Sequence, residues 1–170
     1  DMPFMTYQVS PEQALNNAGR LLKEGRAQSV KVEGPIPKTV ERIVSAGIPV
    51  FGHLGLVPQS VNALGGFRVQ GKGEAAAAVL IEQAKELESA GASALVLEMI
   101  PALLASELSR QISIPTIGIG AGIGCDGQVL VCSDLLGMQL DFTPRFLKRY
   151  AHLEQDIQSA VSEYVQDVQS

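Results

Sequence analysis

Nothing in this sequence gathers positive charge. Its 13 Lys and Arg are scattered among 18 Asp and Glu, for a net charge of −5. Nucleic-acid surfaces need clustered basic side chains to neutralise phosphates, so no nucleic-acid partner is expected. No run approaches the ~20 apolar residues of a membrane-spanning helix, so no membrane partner is expected either. The opening Asp1-Met2-Pro3-Phe4 lacks the basic region of a secretory signal. Cysteine is scarce: Cys125 and Cys132 match neither a disulfide framework nor a zinc spacing. Two buried free thiols in a reducing, cytoplasmic setting are the expectation. Ser-His-Asp and Walker-type motifs are absent. No strand precedes the first motif and the chain opens on Asp1, which is expected to mark a fragment or a processed chain.

What is present is ordinary globular composition, 46% hydrophobic and 18% charged over 170 residues. A chain of this length buries about 70% of its extended surface when compact. Short β-branched runs predict strands at Ser29–Glu33, Ile48–Gly52, Ala94–Glu98, Pro115–Ile119 and Gln128–Cys132. Helices are predicted between them. Pro11–Glu24 has Ser10 as N-cap, Pro11 at its first position and Gly25 as a stop. Lys38–Ala46, Glu74–Ala90 and Pro101–Ser109 follow, and Pro144 to about Val168 reads as one or two amphipathic helices. Strand–helix alternation implies a parallel α/β sheet, either open and doubly wound or a (β/α)8 barrel. A whole barrel takes about 250 residues, so five strands are part of one. No linker divides the chain, and a single domain over 1–170 is expected. The long irregular stretch His53–Gly73 reads as a lid or binding loop.

Side chains alternate across a strand, so Val30 and Val32 share one face and Lys31 and Glu33 the other. With the valines turned to outer helices, Lys31 and Glu33 point inward near the strand's C-terminal end, where barrels build their active sites. A self-satisfied Lys31–Glu33 ion pair is the competing reading. Glu98 closes Ala94–Glu98 as a lone acid among Leu95, Leu97, Met99 and Ile100. Desolvated carboxylates make better bases, which suits a general base; a solvated strand-end acid is the plainer reading. His53 follows Ile48–Gly52 on the same rim, as a hydrogen-bonding or acid–base group or as a structural histidine. Gly122-Ile-Gly-Cys-Asp-Gly127 matches GxGxxG, but a strand rather than a helix follows it, which excludes a dinucleotide site. Asp126, Asp134 and Asp141 read as capping or turn residues.

The segments Asp1-Met-Pro-Phe-Met-Thr-Tyr7, Val30-Lys-Val-Glu-Gly34, Gly52-His-Leu-Gly-Leu-Val-Pro-Gln-Ser60, Gly65-Gly-Phe-Arg-Val-Gln-Gly71, Leu95-Val-Leu-Glu98 and Ile117-Gly-Ile-Gly-Ala-Gly122, followed by Asp126-Gly-Gln-Val-Leu130, occur in that order. Together they resemble the ketopantoate hydroxymethyltransferase family, (β/α)8 TIM barrels of the phosphoenolpyruvate/pyruvate type. The resemblance implies a partial barrel lacking about the first three strands. It also implies transfer of a hydroxymethyl group from 5,10-methylenetetrahydrofolate to 3-methyl-2-oxobutanoate, giving 2-dehydropantoate through metal-stabilised enolate chemistry. By resemblance Asp1 is a Mg2+ ligand that also meets the substrate, Lys31 and His53 bind substrate, Glu33 serves the metal and Glu98 accepts the proton. A 2-oxo acid and a folate are the implied partners, in a cytoplasmic homo-oligomer. The family carries an earlier segment with another aspartate ligand and a substrate-binding serine, which this sequence does not contain. Pro35 stands where many members have a second glycine, and Ser133 where a histidine is common. Two other readings stay open: an isocitrate-lyase-like C–C lyase, and a catalytically incomplete fragment that only binds ligand or self-associates.

Overall fold

Ser10 starts the first helix as its side chain predicts, its Oγ accepting from the Gln13 N–H at 3.1 Å with Pro11 next in line. The helix, α1, spans Pro11–Lys23. Its predicted stop works differently from expectation. Gly25 is not left-handed; Arg26 is, with φ of 55°. Gly25 instead permits close approach, since a Cβ there would lie 2.7 Å from the Leu21 carbonyl oxygen.

The computed structural model describes residues 1–138, 144 and 146–170, so Asp141 lies outside the described residues. After α1 come β1 (Val30–Lys31), α2 (Pro37–Val44), β2 (Val50–Gly55), a short 3-10 turn (Pro58–Ser60), α3 (Glu74–Ser89), β3 (Ala94–Glu98), α4 (Ala102–Gln111), β4 (Thr116–Ile119) and β5 (Gly127–Gln128). All strand pairs are parallel, and the sheet is open with order β1-β2-β3-β4-β5. The α/β class and parallel sheet agree with the sequence reading. Two strands do not. Strand β2 runs on through His53-Leu54-Gly55, because these residues pair with Val96, Leu97 and Glu98 of β3. The fifth strand stops at Gln128 instead of continuing to Cys132, and Cys132–Leu135 forms a short helix, α5. The irregular stretch therefore begins at Leu56, not His53.

One face of the sheet is buried under helices. Val30, Val32, Val50, Leu54, Leu95 and Leu97 form a single core with Ala14 and Ala18 of α1, Val40 and Ile43 of α2, Leu80 and Leu87 of α3 and Leu104 and Leu108 of α4. Each fully buried Leu or Val contributes about 1.5–3 kcal/mol relative to exposure. Phe51, His53, Val96, Glu98, Ile117 and Ile119 occupy the opposite face, outside that core.

Residues 1–128 and 129–170 are two compact units. In the second, helix α6 spans Leu153–Gln169. It starts later than the predicted Pro144, where Glu154 and Asp156 bring negative charge to its first turn. None of its residues is buried. Among the described residues no helix is long and apolar enough to cross a membrane. Both cysteines are free, but Cys125 is only half-buried and Cys132 is exposed.

Asp126 does more than turn the chain. Its Oδ2 accepts from the Thr116 N–H at 2.8 Å and the Thr116 hydroxyl at 2.9 Å, tying the glycine-rich loop to β4. The main-chain bond from Thr116, then its hydroxyl, hold the carboxyl below its ordinary value of 3.8. The ionised form therefore stabilises the fold above that value, and this contribution is lost as pH falls below 3.8 through the lowered folded value. Asp126→Asn is expected to lose stability less steeply over that acid range, as measured by denaturant unfolding at stepped pH.

Candidate active site

In a parallel sheet all C-terminal strand ends lie on one edge. Here that edge carries Lys31 of β1, Gly55 of β2, Glu98 of β3 and Ile119 of β4. Residues aligned by register point to the same face. Lys31 aligns with Phe51, His53 with Val96, and Gly55 with Glu98 and so with Ile119. Lys31, His53 and Glu98 thus share the face opposite the helix-packed core. Glu33 continues the alternation just past β1, where the Gly34 N–H donates to the His53 carbonyl at 2.9 Å.

Lys31 does not pair with Glu33. Its Nζ lies 3.0 Å from Asp1 Oδ1, and the Met2 N–H donates to the Lys31 carbonyl at 3.0 Å. The opening segment is therefore laid along β1 by a main-chain bond, which carries Asp1 to the lysine. The Asp1 side chain is 66% exposed, so the pair contributes at most about 1 kcal/mol to stability. Its consequence is placement of charge.

Glu98 is not a lone acid. His53 Nε2 approaches its Oε2 to 3.2 Å, with the His53 side chain 2% exposed and that of Glu98 16%. The approach is close but off-line, and neither imidazole nitrogen makes an aligned hydrogen bond among the described residues. A buried imidazole lacking a partner costs free energy, so the Glu98 contact is its principal polar compensation. The Glu98 main chain is fixed from both sides. The Leu56 N–H donates to its carbonyl at 2.8 Å. Met99, which follows, holds a left-handed φ of 46° while its N–H binds the Ile119 carbonyl and its carbonyl accepts from the Gln70 N–H, each at 2.9 Å. A non-glycine residue in that region stores about 1–2 kcal/mol of strain, which these neighbours sustain.

Glu33 is held by residues to which the sequence analysis gives no role. Its Oε2 accepts from the Gln59 N–H at 2.9 Å, and its own N–H donates to the Tyr7 hydroxyl at 3.2 Å. Burial raises the Tyr7 hydroxyl above its ordinary value of 10.0, a hydrogen bond from Glu33 opposes this, and the Glu33 charge adds to it. The hydroxyl stays protonated and donates to Gln59 Oε1 at 2.8 Å.

For a divalent cation the chain offers the carboxylates of Asp1 and Glu33. Among the described residues no group of three or more His, Cys, Asp or Glu gathers into a cage. Two carboxylates are a donor set of the kind Mg2+ takes, which usually binds through one or two of them with water and substrate oxygens completing the octahedron.

The sequence profile of the ketopantoate hydroxymethyltransferase family matches residues 1–170. The chain belongs to this family. A relative from Enterococcus faecalis, named 3-methyl-2-oxobutanoate hydroxymethyltransferase, is 58% identical over 170 residues. That match covers 99% of this chain and 62% of the relative. A Dehalococcoides mccartyi (strain CBDB1) protein of the same name is 62% identical over 170 residues, covering 99% of this chain and 61% of that one. One from Syntrophus aciditrophicus is 55% identical over 172 residues, covering 100% and 63%. The chain thus spans 61–63% of the length of these family members.

Proposed function

We propose that this chain carries the proton-abstracting part of a hydroxymethyltransferase. The reaction joins the one-carbon unit of 5,10-methylenetetrahydrofolate to C3 of 3-methyl-2-oxobutanoate and releases 2-dehydropantoate. The observation that carries the reading is the gathering of Lys31 and Glu98 on the sheet face opposite the helix-packed core, at the C-terminal edge, with Asp1 on Lys31 and Glu33 just beyond it. Parallel α/β proteins bind ligands at that edge. Relatives at 55–62% identity bear the name of this activity.

Glu98 removes the proton from C3, beside the keto carbon, and the electrons move into an enolate. Lys31 holds the 2-oxo acid and balances the growing charge. Asp1 and Glu33 would hold Mg2+, which when bound would supply a Lewis acid for the keto oxygen. The enolate carbon then attacks the folate's one-carbon unit and forms the new C–C bond; the carbon–nitrogen bonds to the folate break, water supplies the hydroxyl oxygen, and tetrahydrofolate leaves. His53, expected to touch the substrate, lies beneath Glu98, so the role proposed for it is to orient that carboxylate. The loop from Leu56 to Gly73, with Gly65-Gly66 as its hinge, covers the intermediate against water. Substrate is expected to protect this loop from limited proteolysis; unchanged cleavage counts against the cover.

The same proposal includes the partial (β/α)8 barrel. A parallel sheet with helices on one face, and with Phe51, Val96, Ile117 and Ile119 beside the polar Lys31, His53 and Glu98 on the other, suits an arc of barrel wall, whose interior is lined mainly by branched apolar side chains. A single domain, a cytoplasmic location, a homo-oligomeric state, and a 2-oxo acid and folate as partners belong to it as well. A second reading, a fragment without turnover of its own, is favoured by the open sheet, in which β5 pairs on one side only among the described residues. Deuterium exchange at C3 of 3-methyl-2-oxobutanoate separates the two. Exchange that needs Mg2+ and Glu98 supports the enzyme. A purified chain that folds, binds the 2-oxo acid and exchanges nothing supports the fragment.

A further inference from the structure

Gln59 uses every polar atom of its carboxamide, and all of them reach the segments that hold the two acids. Its Nε2 donates to the Met2 carbonyl at 2.9 Å. Its Oε1 accepts from the Tyr7 hydroxyl at 2.8 Å and from Gln8 Nε2 at 3.3 Å. Its main-chain N–H donates to Glu33 Oε2 at 2.9 Å. The Glu33 N–H, in turn, donates to the Tyr7 hydroxyl at 3.2 Å. A closed ring results, from the Glu33 main chain through Tyr7 and Gln59 back to the Glu33 carboxylate. A branch from the same amide fixes the Met2 peptide unit, next to Asp1.

A fold staple alone does not account for this arrangement. The opening segment is already fastened without it, by the Met2 N–H on the Lys31 carbonyl and by Asn17 Nδ2 on the Thr6 carbonyl at 2.7 Å. What the Gln59 carboxamide adds is a tie between the Met2 peptide unit and the Tyr7 hydroxyl that holds the Glu33 main chain, while the Gln59 main-chain N–H, which leucine would also supply, takes one Glu33 oxygen. The chemistry is also exacting. A glutamate in its place loses the donor to Met2, and a leucine loses donor and acceptor both.

We infer that Gln59, with Tyr7 as its relay, is a positioning residue that turns Glu33 and the Asp1–Met2 segment toward a shared divalent cation. The inference rests on the metal-dependent reading proposed above. Groups that orient metal ligands typically change metal affinity by about 10–100-fold when removed.

The test uses the intact protein and Mn2+, a spectroscopic stand-in for Mg2+, with free Mn2+ followed by electron paramagnetic resonance. Gln59→Leu is expected to raise the Mn2+ dissociation constant about tenfold or more. C3 exchange is expected to slow at low Mg2+ and to recover at saturating Mg2+, a split that a general loss of structure does not produce. Tyr7→Phe keeps the buried ring and drops only the hydroxyl; it is expected to shift Mn2+ affinity in the same direction, and it carries the test if Gln59→Leu does not fold. An unchanged affinity in the folded variants overturns this inference while leaving the metal-dependent reading intact. A wild-type protein that binds no Mn2+ overturns both.

Discussion

Replacing Glu98 with Gln is expected to slow C3 deuterium exchange by about 10²–10⁴-fold, the range that a positioned general base contributes. The substitution is nearly isosteric, and the Glu98 main chain is fixed independently of its side chain by the Leu56 N–H. The fold should therefore survive, and the thermal midpoint should move little. What goes is the basic oxygen, on a side chain 16% exposed and 3.2 Å from His53. A glutamine at that position still accepts a hydrogen bond but does not take up a proton. Substrate binding, read by calorimetry, is expected to persist, because Lys31 rather than Glu98 is the group proposed to hold the 2-oxo acid. Exchange that continues at the wild-type rate would remove Glu98 as the proton acceptor and direct attention to its neighbours on the rim.

The sequence makes the frame legible where local signals and tertiary packing agree. Strand β3 is predicted and found over Ala94–Glu98, because a run of apolar side chains fits a strand covered by helices. Ser10 and Pro11 announce α1 for a local reason, the cap hydrogen bond. Strand β2 is underread because the glycines and histidine of Gly52-His-Leu-Gly55 carry weak strand preference; the β3 ladder overrides it. The opposite error occurs at Gln128–Cys132. Its valines favour a strand, yet Val129 and Val131 are exposed, and a β-branched run without a ladder partner does not make one. In the site, alternation is enough to set Lys31 apart from Val30 and Val32. Alternation says nothing of Tyr7 and Gln59, which meet across 52 positions, or of Tyr7 and Glu33, which meet across 26. Contacts of that range leave no period in the chain. Asp1 is a similar case: its place beside Lys31 depends on a main-chain bond from Met2, which no side-chain pattern encodes.

Adding one methyl group at Gly55 is expected to damage fold and site together. Gly55 has φ of 92°, and a Cβ there would collide with the Glu98 carbonyl oxygen and lie 2.7 Å from Ile100 Cγ2. Backbone does not swing aside as a flexible side chain does. To admit the methyl, the Glu98 carbonyl must retreat and give up its hydrogen bond from the Leu56 N–H. The left-handed conformation and the lost hydrogen bond together put the loss for Gly55→Ala at about 3 kcal/mol. Gly47 supplies the control. It has φ of 83°, and nothing lies within 4 Å of an added Cβ. Gly47→Ala meets the same backbone penalty, about 1–2 kcal/mol, with no collision. Denaturant unfolding of the two variants therefore isolates the cost of the close approach. C3 exchange reports what the approach is for, since only Gly55→Ala displaces the segment that aims Glu98. If both variants lose the same stability and keep the same exchange rate, the contact between β2 and β3 at Gly55 is incidental. If Gly55→Ala alone loses exchange while still folded, the absence of a side chain at residue 55 is part of how the sheet sets the direction of its base.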